Sequence, residues 1–106
     1  LGATRILSPA SVAQMTTNQL TPEQRATAGP ILDANRGWGF GLSVVVDPEA
    51  GSPAPGSYGW FGGFGTSWTN DPTADAIAIV MTQSVDFLTS GGPGAFWTAV
   101  DQAITT

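Results

Sequence analysis

Between Gly37 and Val46 the chain repeats with a period of two. Trp38, Phe40, Leu42, Val44 and Val46 take one parity, and Gly39, Gly41, Ser43 and Val45 take the other. Alternation of this kind marks a β-strand with one heavily buried face. The small residues opposite call for another element packed closely on that side. Asp47-Pro48 ends the pattern, and the Gly/Pro/Ser/Ala stretch over 49–57 is too long for a tight hairpin. Residues 58–68 read as a second strand, with Gly at 59, 62, 63 and 65. Gly inside a strand often marks close approach of a ligand or another backbone. Residues 76–83 read as a third, with Ile77, Ile79 and Met81 on one face and Ala76, Ala78 and Val80 on the other. Two apolar faces predict a central strand covered on both sides.

Helical signals flank this region. Ser8-Pro9 supplies a capping hydroxyl and a proline at the first helical position, and Val12, Met15 and Thr16 follow on one face. Thr21-Pro22-Glu23-Gln24 repeats the device, with Gln24 placed for a capping box, and Gly29-Pro30 interrupts it. Near the end, Phe96, Trp97, Val100, Ala103 and Ile104 form an apolar stripe at helical spacing. The expected fold is α+β: a three-stranded antiparallel sheet over 38–47, 58–68 and 76–83, flanked by helices over 9–17 and 94–104. Short connections favour the antiparallel order.

Composition narrows the chemistry. The 106 residues include three Arg, no Lys, no His and no Cys, for a net charge of −5. No basic patch can be assembled for a phosphate backbone, so neither nucleic acid nor an anionic membrane is an expected partner. The longest apolar run, 76–81, falls far short of the roughly 20 residues that span a bilayer. Without His, Cys or Lys, nearly every conventional base or activated nucleophile is missing, so the chain alone is expected to be inactive in acyl transfer. Charged residues are 10% of the chain, against about 25% in typical soluble domains. That deficit predicts a surface that normally faces protein.

No phosphate-binding glycine motif accompanies the Gly cluster. Asp47/Glu49 and Asp71/Asp75 sit in turn sequences and lack the spacing of a calcium loop, and no soft-metal set exists, so no metal or other cofactor is expected. Ser43 and Ser67 are not in a nucleophile elbow. The aromatics Trp38, Phe40, Tyr58, Trp60, Phe61, Phe64 and Trp68 are more than one small sheet buries by itself. Some of them are left to meet a ligand or another part of the protein.

One stretch resembles a known family. Residues 59–68, Gly-Trp-Phe-Gly-Gly-Phe-Gly-Thr-Ser-Trp, then Asp71-Pro72 and Ala78-Ile79-Val80-Met81-Thr82-Gln83, resemble the C-terminal region of β-lactamase-related serine hydrolases. These include class C β-lactamases, penicillin-binding proteins, D-aminopeptidases and family VIII-type esterases. Residues 7–18 resemble the helix before this sheet in the esterase-like members, and 37–42 the strand that follows it. The family's nucleophilic Ser and its Lys lie in an S-x-x-K motif and its Tyr in a Y-x-N motif. This chain has neither, since Tyr58 is followed by Gly59-Trp60. The resemblance therefore implies that residues 1–106 form the C-terminal segment of such a domain, without the part that holds the nucleophile.

The family's K-T-G-type motif falls on Trp60-Phe61-Gly62, with Phe61 where a small or polar residue is usual. A Trp at the Lys position is similar to the esterase members. The resemblance implies that Trp60, Phe61 and Gly62 line the substrate site and that the Gly63 amide, just after the motif, is one of two oxyanion donors. The implied function is cleavage of a small ester or amide through an acyl-enzyme. The implied partner is the missing part of the fold or a companion chain, with self-association also open. The alternative is a non-catalytic binding or assembly module that uses its aromatic strand surface.

Overall fold

The computed structural model describes residues 4–49 and 52–105. The chain runs through α1 (Pro9–Met15), α2 (Pro22–Thr27) and a 3₁₀ turn (Gly29–Ile31). Five strands follow, β1 (Arg36–Trp38), β2 (Ser43–Val45), β3 (Tyr58–Phe61), β4 (Ser67–Asp71) and β5 (Ala76–Val80). Two helices close the chain, α3 (Val85–Thr89) and α4 (Gly92–Thr105). The strands pair antiparallel in chain order, β1-β2-β3-β4-β5.

The α+β architecture agrees with the expectation, but the sheet has five strands where three were expected. Two of the expected strands are hairpins. Residues 38–47 turn back at Phe40-Gly41, where the Gly39 N–H donates to the Leu42 carbonyl (2.9 Å) and Gly41 has φ +86°. Residues 58–68 turn back at Gly63-Phe64-Gly65. There the Gly62 N–H donates to Thr66 O (2.7 Å), the Gly65 N–H to Gly62 O (3.0 Å), and Gly65 has φ +88°. A turn followed by a left-handed Gly is a standard three-residue hairpin connection. Two of the glycines that looked like strand residues, Gly41 and Gly65, hold these left-handed positions. Phe40 consequently sits in a turn, 57% exposed, and β2 is buried on both faces, Ser43 and Val45 as well as Leu42 and Val44, in place of the single buried face expected.

The helix starts follow their sequence signals. Ser8 Oγ accepts the Ser11 N–H at 3.1 Å, and Thr21 and Gln24 form the reciprocal capping box. The close neighbour implied by Gly37 and Gly39 is the segment after α1. It runs along the free edge of β1, with the Gln19 N–H on Trp38 O (2.8 Å) and the Phe40 N–H on Met15 O (3.1 Å). Asn18 Oδ1 accepts the Trp38 N–H at 3.1 Å. A side chain at Gly39 would collide with the Met15 carbonyl. Edge strands left open invite aggregation, and this segment covers one. Arg25 ties α2 to the sheet, donating to Arg36 O (3.1 Å), Ala34 O (2.7 Å) and Asp47 Oδ2 (2.6 Å).

The strand over 76–83 departs from expectation in a second way. β5 pairs only with β4 and is the opposite edge of the sheet. Side chains alternate across a strand, and directly paired residues share a face. The face carrying Thr69, Asp71, Ala76 and Ala78 looks toward Trp97, Val100 and Ile104 of α4. The face carrying Trp68, Ile77 and Ile79 has no helix over it among the described residues, and Ile77 and Ile79 are 68% and 59% exposed. The buried apolar side chains, Leu42, Val44 and Val45, are few, and no helix buries a residue.

Candidate functional site

The β1–β2 and β3–β4 turns lie at the same end of the sheet. This follows from the register, in which Trp38 pairs with Ser43, Ser43 with Gly59, and Phe61 with Ser67. Trp60 and Phe61 end β3, and Gly62 and Gly63 enter the turn. The four residues singled out in the sequence are thus contiguous at one corner. The Trp60 ring meets Trp38 edge-on (centroids 4.6 Å, 87°) and stacks with Phe61 (4.5 Å, 28°). These contacts fix the Trp60 indole between two aromatic neighbours.

Gly63 is the first central residue of the turn closed by the Gly65-to-Gly62 hydrogen bond. Among the described residues no backbone acceptor takes its N–H, and no atom lies within 4 Å of where its side chain would stand. The turn itself is anchored from the segment after β5, because Thr82 Oγ1 donates to the Phe64 carbonyl at 2.8 Å.

The register also brings in residues beyond the four that the resemblance implies. Trp60 pairs with Trp68, and Trp68 with Ile79. Together with Met81 they form an open depression of about 380 Å³ beside Phe61 and Gly62. Only knowledge of which strand positions face one another reveals this grouping. Its sequence signal is the shared parity of Ile77, Ile79 and Met81.

The other polar candidates are occupied structurally. Ser43 is fully buried, donates to Gly59 O (2.9 Å) and accepts from Arg36 Nη1 (3.0 Å). Arg36 also lies 3.8 Å from Asp33, and burial lowers its pKa, with Asp33 and Glu49 opposing. Asp71 Oδ1 accepts the Thr73 and Ala74 N–H groups (2.9 and 3.1 Å), as a turn former does. Among the described residues no group of carboxylates is gathered to hold a metal ion, and no helix is long and apolar enough to cross a membrane. Two cavities of about 430 and 360 Å³ share Trp97 of α4 and reach the α4 side of the sheet, the smaller one reaching Arg36.

Comparison with known proteins gives a family. The Beta-lactamase family model matches residues 3–99. Two relatives from Mycobacterium tuberculosis are each 43% identical over 86 residues: "Uncharacterized protein MT1414" of strain CDC 1551 / Oshkosh and "Protein Rv1367c" of strain ATCC 25618 / H37Rv. The match covers 74% of this chain and 21% of each relative, so the chain spans about a fifth of their length. With a family match along nearly the whole sequence, an α+β fold and an antiparallel sheet, the chain belongs to the Beta-lactamase family.

Proposed function

We propose that this chain is the C-terminal segment of a serine hydrolase domain and supplies one wall of its active site. The reaction is ester or amide cleavage. A serine hydroxyl outside residues 1–106 attacks the carbonyl carbon and loses its proton to a base. The bond to the alcohol or amine breaks as that leaving group takes a proton. Water then releases the acid from the acyl-enzyme and restores the serine. In this reading the Gly63 N–H faces the carbonyl oxygen as negative charge develops on it. Trp60, Phe61 and Gly62 line the substrate. Trp60 shapes the pocket and transfers no proton, since an indole N–H only donates.

The observation that carries this reading is the unengaged Gly63 N–H, held in an anchored turn next to the aromatic end of β3. A donor of that kind is worth about 3 kcal/mol of transition-state stabilisation in hydrolases. The chain's lack of Lys, His and Cys agrees with a nucleophile and base elsewhere in a longer polypeptide. The missing part of the fold is also a natural cover for Ile77, 68% exposed beside the depression. Labelling the full-length protein with a fluorophosphonate and mapping the adduct tests the proposal. We expect the adduct on a serine in an S-x-x-K motif outside residues 1–106. An adduct on Ser43 or Ser67, or none at all, overturns it.

The open apolar face, with Ile77 68% and Met81 78% exposed, also supports a second reading, a non-catalytic module that binds or assembles through this surface. A full-length sequence without an S-x-x-K motif favours that reading over the first.

A further inference from the structure

Resting on the hydrolase reading above, we infer that the depression beside Gly62 receives the acyl group of a neutral ester, and that this group is an apolar chain longer than acetyl. Three of the residues that line it, Trp60, Phe61 and Gly62, are those proposed to face the substrate, and Gly62 is the chain neighbour of Gly63. The remaining walls are Trp68, Ile79 and Met81, brought alongside by the β3–β4–β5 register, with Thr66 and Ser67 as the polar part of the lining. No charged residue lines it; Arg36 lines the neighbouring cavity on the α4 side, which shares Trp60, Phe61, Ser67 and Trp68 with the depression.

These features bear on substrate class. A carboxylate moved into such a lining would lose its hydration without gaining a cation or a set of N–H donors. A hydrocarbon chain gains from the same transfer. At about 380 Å³ the depression is near the low end of the roughly 300–1,000 Å³ of small-molecule sites, which suits one acyl group and not a whole bulky ligand. Met81 adds adaptability, because its unbranched thioether adjusts to chains of different length. Each methylene buried there is worth about 0.8 kcal/mol, or about fourfold in kcat/KM if the contact persists in the transition state.

The test uses the full-length protein and p-nitrophenyl esters from acetyl to octanoyl. We expect kcat/KM to climb by about fourfold per added methylene from acetyl, over at least two steps, and then level off. Met81→Ala and Phe61→Ala should flatten that slope. Ile77→Ala, on the same face but outside the depression, should leave the slope intact. Thermal melting of each variant reports folding separately. Equal kcat/KM for acetyl and hexanoyl esters overturns the inference while leaving the hydrolase reading standing. An unchanged slope in folded Met81→Ala and Phe61→Ala proteins also overturns it, and means another part of the polypeptide fills the depression. Absence of both esterase activity and fluorophosphonate labelling removes the hydrolase reading and this inference together.

Discussion

Gly59 is the position where one added methyl group should do the most damage. It lies in the middle of β3, paired with Thr69 on β4 and Ser43 on β2. A Cβ at Gly59 would overlap the Trp68 carbonyl oxygen and come within 2.9 Å of the Thr69 Cα. Both are backbone atoms of the paired strand, so no side-chain rotation relieves the contact. Overpacking that side chains can partly absorb costs about 1–3 kcal/mol. Separating the strands adds the loss of neighbouring ladder hydrogen bonds, about 0.5–1.5 kcal/mol each. Gly59→Ala should therefore cost about 4 kcal/mol, among the largest effects of a single substitution. Gly63→Ala, four residues on, meets no atom within 4 Å and should cost less than about 0.5 kcal/mol. Urea unfolding of the full-length protein measures both. The Gly59→Ala midpoint should fall by roughly 1–2 M at unchanged slope, and the Gly63→Ala midpoint should not move detectably. A Gly59→Ala loss below about 1 kcal/mol would refute the close β3–β4 approach and the register that produces it.

Other consequences follow from the same geometry. The Ser57 hydroxyl is fully buried without a hydrogen-bond partner among the described residues, so Ser57→Ala should raise stability, by about 1 kcal/mol in the same unfolding assay. Arg25→Ala removes three charge-assisted hydrogen bonds that join α2 to the sheet, one of them to an exposed Asp47, and should lower stability by about 1.5–3 kcal/mol. Arg25→Lys should recover only part of this, because an ammonium lacks the planar fork. The isolated chain of 106 residues should turn over neither nitrocefin nor a chromogenic ester, and a rate abolished by one Ser→Ala change within it would contradict the placement of the nucleophile outside.

The helix starts were legible because capping chemistry is local. Ser8-Pro9 and Thr21-Pro22 with Gln24 carry their hydrogen bonds within four residues. The strand regions were legible too, but their number was not. Trp38 to Val46 keeps its alternation through the turn at Phe40-Gly41, so period alone cannot see the reversal. Left-handed Gly41 and Gly65 are the better signal, since Gly62-Gly63-Phe64-Gly65 reads as a hairpin loop once its last glycine is assigned φ > 0. The edge position of β5 was hidden for another reason. An apolar strand reads as covered on both faces whether its cover comes from this chain or from elsewhere. α3 escaped notice because it has five residues and no side-chain cap. The candidate site was legible as far as residues 60–63 are contiguous. Trp68, Ile79 and Met81 join it only through pairing across two strand boundaries.

If the Gly63 amide stabilises the oxyanion, its removal must slow acyl transfer. Steady-state kinetics of full-length Gly63→Pro, against Gly63→Ala, tests it most directly. Proline is accepted at the first central position of a β-turn, so the variant removes the N–H while keeping the turn closed by Gly62 and Gly65. Gly63→Pro should lower kcat by about 10²–10³, with Gly63→Ala much closer to the wild type. A folded Gly63→Pro protein that keeps wild-type turnover contradicts the claim.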